Sequence, residues 1–480
     1  MSQINTAKIA RGVFWTTASY INNRLTKLIA QIVLAHLLTP EEFGIWAMVQ
    51  IQIQLSERFS ESSIAQVLVQ KGLSDKKLLN TVYSLGVNVS VLLFILQILL
   101  GFFLSKFFTT PILWPLTACV GLTFLFKAGA STHHAVMIRQ MKFRELTICE
   151  TISTILGLGG TLVCALLGAK VWSFVAGTLL TSASTAFIIR SWSGYRFTYQ
   201  LIPDWSVVQK VKSFIGGVLG TNLATYTNNN TDNFIIGKLV GTAALGQYNL
   251  AYQLAMLPQF VLSRSQSVNF SALSQKNSSE KKKYISTALE LNSLLSALIY
   301  GIAFIAAPWI IPTVYGAQWE EAVGLFQIII VYAYFRLFMN ILGTLLNASD
   351  KPGVNAMINW ILIPVSVPAY LLGAWLAGPK GVATAVALVM GLGATACFWI
   401  VTCRTLGWKV VSTLKTILLP TSAMTATVAV VYLTPFSTSH VYLQPLLLLV
   451  GYSILIAIFS GGRIPKMLLS LIKNSFSPIG

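Results

Sequence analysis

The sequence predicts an all-α polytopic membrane protein of about 14 transmembrane helices, arranged as two parallel six-helix lobes with two extra C-terminal helices. Three observations lead there. Hydrophobic residues fill 55% of the 480 positions and charged residues only 10%, with a mean hydropathy of +0.71, which excludes an ordinary soluble domain. Apolar stretches of about 20 residues, the length that crosses a hydrocarbon core, recur from near the start to near the end. A short pattern of residues also recurs at an almost constant offset in the two halves of the chain.

The first span, 12–38, carries Thr17, Tyr20, Arg24, Lys27 and Gln31 at steps of three and four. Ile21, Leu25, Leu28, Ile32 and Ala35 fall on the opposite face. With Arg24 and Lys27 inside it, this stretch is expected to stay as a helix and not to act as a cleaved signal. Span two, 43–69, holds a second polar stripe in Gln50, Gln54, Glu57 and Glu61, with Arg58 beside it. Spans three to six, 78–104, 112–138, 146–168 and 171–190, are more apolar; Lys127, late in span four, is expected to snorkel to the cytoplasmic edge. Span seven, 213–238, aligns Asn222, Thr225, Asn229 and Asp232 on one face that turns away from lipid. Asn228 and Asn230, off that face, suit hydrogen bonds between helices. Span eight, 243–273, contributes Arg264, within a turn of the position equivalent to Arg58. Spans nine to twelve, 285–311, 322–347, 354–377 and 380–403, bring Glu290 and Arg336, and spans thirteen and fourteen cover 412–434 and 440–460. Spans one, two, seven and eight carry so many polar groups that hydropathy alone would miss them. Beyond Gly462, an apolar face of Ile464, Met467, Leu468, Leu471 and Ile472 with Arg463, Lys466 and Lys473 suits a short helix on the inner leaflet.

The net charge of +19 could suggest nucleic acid, but the placement of the cations argues for membrane orientation instead. Segments on the N-terminal side of the membrane hold most of the 33 Lys and Arg, including Lys8, Arg11, Lys71, Lys76, Lys77, Arg139, Lys142, Arg144 and the run Lys281 to Lys283. Loops on the other side hold only Lys106, Lys170, Lys238 and Lys380. An even number of spans with both termini cytoplasmic satisfies this asymmetry. Cys119, Cys149, Cys164, Cys397 and Cys403 fall in or at the ends of spans without metal-ligand spacing and are read as small apolar residues. Short loops leave no room for a soluble catalytic domain.

The repeat is explicit. "LTPEEFGIWAMV" from Leu38 matches "VGTAALGQYNLA" from Val240 through Phe43 and Leu245, Gly44 and Gly246, Trp46 and Tyr248, at an offset of 202. "QKGLSDKKL" from Gln70 matches "QKNSSEKKK" from Gln275 at an offset of 205. Six helices separate the copies, and because six is even they enter the membrane with the same orientation. The expected organisation is a lobe over 1–190, a cytoplasmic linker over 191–212, a second lobe over 213–404, and helices thirteen and fourteen with a cytoplasmic tail over 405–480.

A charged side chain near the bilayer centre costs about 2.5–3.5 kcal/mol on insertion scales. Arg24, Lys27, Arg58, Arg264 and Arg336 therefore need water or partners, and a hydrated cavity between the lobes is the simplest receiver. Arginine's planar fork suits phosphate oxygens, so an anionic, diphosphate-bearing cargo is expected. Tyr20, Gln54, Asn222 and Asn229 would line its polar interior. A purely structural reading pairs Arg58 with Glu57 or Glu61, Arg264 with Glu290, and Lys27 with Asp232. The same acids, Glu57, Glu61, Asp232 and Glu290, are alternatively candidates for binding a coupling cation or for gating. His36, His133 and His134 suit interfacial hydrogen bonds or a proton relay. No cofactor or metal is expected, and nothing separates H+ from Na+ as a coupling ion.

The stretches "LLTPEEFGIWAM", "SSIAQVLVQKGLSDKKLLNTVYSL" and "NTDNFIIGKLVGTAALGQYNLAYQL" resemble the Wzx-type polysaccharide exporters of the multidrug/oligosaccharidyl-lipid/polysaccharide superfamily, most closely the colanic-acid-exporter-like branch. The resemblance implies a MATE-like fold and a flippase of the bacterial inner membrane. It would move undecaprenyl-diphosphate-linked oligosaccharide repeat units by alternating access, for capsule, exopolysaccharide or O-antigen synthesis. It implies membrane lipids as neighbours, and a polysaccharide polymerase and chain-length regulator as partner classes. Related lipid II flippases use cavity arginines on helices one, two and eight, the helices of Arg24, Arg58 and Arg264 here, and line a lipid-tail groove with their two extra helices. Two other classes compete. A multidrug or small-metabolite antiporter of the same fold would present acids to a cationic drug. A membrane enzyme, such as a repeat-unit polymerase or acyltransferase, would show a larger outer loop or a suitably placed histidine.

Overall fold

The computed structural model describes residues 6–60, 68, 75–202, 204, 209, 223, 225–262, 278–433 and 443–464. Within them the chain is helical, and the described helix ends fall within several residues of the expected spans; the expected end of span two, start of span seven and end of span eight lie outside the described residues. Helix one is Thr6–Leu37, two Pro40–Ser60, three Lys76–Phe107, five Phe143–Leu166 and six Trp172–Ser193. Helix seven covers 225–239; eight is Thr242–Leu262, nine Ser278–Tyr315, ten Glu320–Asn347, thirteen Val410–Leu433 and fourteen Gln444–Phe459. The tally of 14 agrees with the sequence. Among the described residues, composition and length alone single out seven helical stretches, counting helices eleven and twelve as one, or eight with the bent pair of helix four; helices one, two and eight are absent from that set, as their polar load predicts.

Two spans depart from straight helices. Helix four is broken: Leu113–Lys127 and Ala130–Arg139 meet at 46°. Ala128 leaves the helix with ψ 116°, and Gly129 sits at φ +75°, a left-handed conformation that favours glycine. Helices eleven and twelve run together as Pro352–Ala385 and onward to Thr405, but Ala377 and Gly378 have non-helical torsions just before Pro379. The chain doubles back there. A Cβ on Gly373 would lie 2.5 Å from the Gly381 carbonyl oxygen, so the two helices touch backbone to backbone beside the turn. Helix twelve continues through a π-helical stretch, Val386–Gly393, where Gly391 packs directly on the Tyr332 backbone of helix ten.

Two compact units divide the chain at Gly246 and Gln247. In the first, helices five and six interlock through small residues. A Cβ on Gly157 would meet Thr181 Oγ1 at 1.7 Å, and one on Gly177 would meet Thr161 Oγ1 at 1.8 Å. Such close approach gives dispersion contact and weak polar contact where lipid removes the hydrophobic drive for association. Gln52 donates to the Gln97 carbonyl at 2.9 Å and Ser56 donates to Gln97 Oε1 at 2.9 Å, tying helix two to helix three. Tyr226 of helix seven donates to the Ile51 carbonyl of helix two at 2.6 Å. The repeat is also visible in contact: a Cβ on Gly44 would lie 1.8 Å from the Thr242 oxygen, and one on Gly246 would lie 1.8 Å from the Pro40 oxygen. Residues 40 and 44 correspond to 242 and 246 at the offset of 202, so the two starts of helix cross reciprocally.

The described part of the linker lies along helix three. Asn80, Ser84 and Asn88, spaced four apart, accept from Thr198 N at 3.1 Å, accept from Gln200 N at 2.9 Å and donate to the Leu201 carbonyl at 3.0 Å. Phe197 stacks on Tyr83 with centroids 5.0 Å apart. In the second unit, helix ten is the hub. Tyr334 bonds Ser293 of helix nine at 2.8 Å and Thr421 of helix thirteen at 2.6 Å, Gln259 donates to the Ala333 carbonyl at 2.5 Å, and Tyr452 of helix fourteen donates to the Leu294 carbonyl at 3.2 Å. Helices thirteen and fourteen are thus packed into the unit through helix nine.

Candidate functional site

Each unit carries cationic side chains on polar faces of otherwise apolar helices. In the first, Arg24 and Gln31 are half-buried, while their neighbours Leu25, Ile29 and Val33 are 54%, 62% and 41% exposed. A helix that exposes leucine and withholds arginine is oriented for lipid on one side and a polar interior on the other. Lys27 is exposed. Arg24 and, from helix five, Glu150 are the charges within its electrostatic reach, so the acid beside it is one that sequence spacing did not single out.

Helix two places Gln54 and Glu57 at intermediate depth. Glu57 accepts an ion pair from Lys127 of helix four at 3.0 Å. Lys127 therefore turns to a carboxylate and does not simply snorkel, because helix four breaks immediately after it. The break redirects the chain at the residue where an unbroken helix would have continued. On helix seven Asp232 is buried and Asn229 half-buried, while Thr225 is exposed. Asn228 and Asn230 are buried too; Asn230 donates to the Tyr226 carbonyl at 3.0 Å, a bond within its own helix and not between helices.

In the second unit Arg336 is held by two phenols. Its Nη1 donates to Tyr252 Oη at 2.8 Å and to Tyr332 Oη at 2.7 Å, with the guanidinium carbon 5.5 Å from the Tyr332 ring centroid. Neutral phenols orient the fork without cancelling its charge. The π-helical stretch of helix twelve backs Tyr332 and fixes its position. No sequence signal marked Tyr252 or Tyr332, since aromatics at helical spacing read as core. Glu290 of helix nine is paired with Arg463, beyond helix fourteen, so this acid ties the C-terminal segment to the second unit. The side chains of Tyr20 and Arg58, and residues Glu61, Asn222 and Arg264, lie outside the described residues.

His133 bonds Ser193 at 2.7 Å in the inner part of the first unit. The five cysteines are free thiols, with Cys149 and Cys403 buried. Among the described residues no group of His, Cys, Asp and Glu could hold a metal.

The chain has the fold of transporters built from parallel six-helix repeats. It superposes on a lipid II flippase, MurJ, in an inward closed conformation with TM-score 0.76, 16% identity and coverage of 95% of this chain and 100% of that one. A multidrug resistance MATE family transporter in an inward-facing conformation matches with TM-score 0.58, 14% identity, and 80% and 94% coverage. Residues 33–324 match the family model described as "Polysaccharide biosynthesis protein", and the chain belongs to that family. Its relatives include the lipopolysaccharide biosynthesis protein WzxC of Escherichia coli K12, 23% identical over 391 residues with 80% and 78% of the two chains covered. The teichuronic acid biosynthesis protein TuaB of Bacillus subtilis 168 is 22% identical over 401 residues, covering 77% and 82%.

Proposed function

We propose that the protein is a flippase for lipid-linked oligosaccharides: it carries undecaprenyl-diphosphate-linked repeat units across the bacterial inner membrane, with both termini in the cytoplasm, and is not an enzyme. The observation that carries the reading is the polar face of helix one, on which Arg24 and Gln31 are half-buried while Leu25 and Ile29 are exposed, in a chain of a polysaccharide biosynthesis family. Arginine's planar fork suits the oxygens of a diphosphate. The phenol-held Arg336 supports a further cationic contact, with Tyr252 and Tyr332 as amphipathic surfaces suited to sugar. The two repeats alternate access, and the ion-paired Glu57 is a gating candidate whose partner changes during the cycle. Coupling to H+ or Na+ is a separate question that Asp232 and Glu57 mutants address.

The test is thermal shift of the detergent-purified protein with a short polyprenyl-diphosphate sugar, beside an Arg24→Gln/Arg264→Gln variant and a lipophilic cation. Stabilisation by the diphosphate lipid, lost in the variant, is expected. Stabilisation by the cation alone would replace the proposal with an antiporter, and elongation of the lipid-linked sugar by the purified protein would replace it with a polymerase.

A further inference from the structure

The break in helix four leaves two carbonyl oxygens, those of Phe126 and Ala128, without the helical partners they would otherwise have. Arg190, in the last turn of helix six, donates from Nη2 to both, at 2.9 Å and 2.5 Å. One nitrogen serves both oxygens. A guanidinium carries five N–H donors in a rigid fork, and among the described residues nothing accepts from Arg190 Nε or Nη1. Its charge is thus fixed in place by neutral groups, with three of its five N–H donors, on Nε and Nη1, outside those bonds.

They border a cavity of ≈ 360 Å³ lined by Phe126, Ala183, Ala186, Phe187, Arg190 and Ser191. The walls are apolar and open outward: Phe187 is 73% exposed and Phe126 38%. The cationic end does not stop at Arg190. Lys142, from the turn after the second half of helix four, donates to the Trp192 carbonyl at 3.4 Å, which brings a second cation to the same last turn of helix six. Distribution of Lys and Arg along the chain assigns this end to the cytoplasmic side, where the leaflet is anionic.

An apolar slot ending in fixed cations at the depth of the headgroups has the chemistry of a lipid phosphate site. We propose that this cavity binds an anionic glycerophospholipid of the inner leaflet, with an acyl chain against Phe126, Ala183 and Phe187, and the headgroup phosphate on the free donors of Arg190, seconded by Lys142. The site lies wholly within the first unit and does not depend on the cargo reading. By bridging Arg190 and the broken ends of helix four, the lipid holds helices four and six together at the break.

Native mass spectrometry of the full chain, titrated with phosphatidylglycerol or phosphatidylcholine, tests this. The wild type should retain phosphatidylglycerol over phosphatidylcholine by about fivefold or more, the scale of one interfacial basic residue. Arg190→Gln keeps an N–H for the carbonyls but removes the charge, Ala183→Phe fills the slot but leaves Arg190, and Lys142→Gln changes a half-buried side chain in the turn between helices four and five. The preference should vanish in the first two and weaken in the third. Equal retention of both lipids by the wild type, or a preference that survives Ala183→Phe, would overturn the proposal. So would displacement of phosphatidylglycerol by equimolar polyprenyl phosphate, which would assign the slot to the cargo's tail. Should Arg190→Gln and Ala183→Phe both unfold, an unchanged preference in Lys142→Gln overturns it, and a reduced one supports it.

Discussion

Gly44→Ala should be among the most damaging single-methyl additions in the protein. In a helix the change is ordinarily favourable by about 1 kcal/mol, because alanine loses less backbone entropy. Here the new Cβ would sit 1.8 Å from the Thr242 oxygen and 2.6 Å from its carbon. Carbon and oxygen rest about 3.3 Å apart, so the crossing must open by about 1.5 Å. The obstacle is backbone and has no rotamer to escape into. Overpacking of this kind typically costs about 1–3 kcal/mol, which reverses the propensity gain. Gly246→Ala meets the Pro40 oxygen at the same 1.8 Å and should lose a similar amount. Because either alanine forces the same separation, the double variant should lose less than the two singles together, a coupling that a two-variant cycle measures directly. Gly159→Ala is the control: a Cβ there meets nothing within 4 Å, and stability should hold or rise. The assay is thermal unfolding in detergent with export measured in cells. A Gly44→Ala protein as stable as wild type, or strict additivity in the double variant, would refute the argument from reciprocal contact.

Other outcomes follow from single contacts. Lys127→Met leaves the half-buried Glu57 without its ion-pair partner and should reduce stability or export, whereas Lys127→Met/Glu57→Gln should recover part of the loss; absence of recovery in melting curves would show that the pair at 3.0 Å is not an energetic unit. Tyr332→Phe removes a phenol acceptor from Arg336 and should weaken binding of a diphosphate sugar by about 1–2 kcal/mol in a titration, less than Arg336→Gln does. Asn80→Ala/Asn88→Ala deletes the asparagine anchors of the linker on helix three and leaves Ser84 and the Lys77–Asp204 ion pair, and limited proteolysis at Arg196 should speed up without a matching fall in melting temperature.

How much of this was legible depended on whether the signal was local. Span positions follow from apolar length, and the repeat follows from residues that a reader can align; both are present in the fold. Gly44 and Gly246 were visible as matched letters, but not as the place where two backbones touch, since contact is a property of two helices and a sequence lists one. The face of helix one was legible because periodicity alone separates Arg24 from Leu25. Partners were not. Lys127 was expected to reach the membrane edge because nothing in "FLFKAGAS" says that the helix stops there except Gly129, and an isolated glycine in an apolar span is as often tolerated as it is a break. Once the break is placed, three facts that looked unrelated have one origin: Lys127 turns to Glu57, Arg190 spends one nitrogen on two stranded carbonyls, and a cavity opens between Phe126 and Phe187. The Pro-linked turn at Ala377 and Gly378 works the other way. There the boundary between the expected spans 354–377 and 380–403 already called for a turn, and the structure makes it at Ala377 and Gly378, just before Pro379.

Aromatic side chains set the remaining boundary. Tyr252 and Tyr332 fall at spacings that fit an ordinary core face, and only the placement of Arg336 between them turns a half-buried and a buried phenol into a mount for a cation. Arginine in lipid announces that something must receive it, but not what. In this chain the second unit receives Arg336 on two phenol hydroxyls, and the first places Arg24 on a half-buried polar face. A structural ion pair would have been satisfied by the acids the sequence offered, yet Glu57 and Glu290 are engaged by Lys127 and Arg463. Each of those two acids thus holds a cation, Lys127 or Arg463, that sequence spacing did not offer it, because the partner comes from an element distant in the chain.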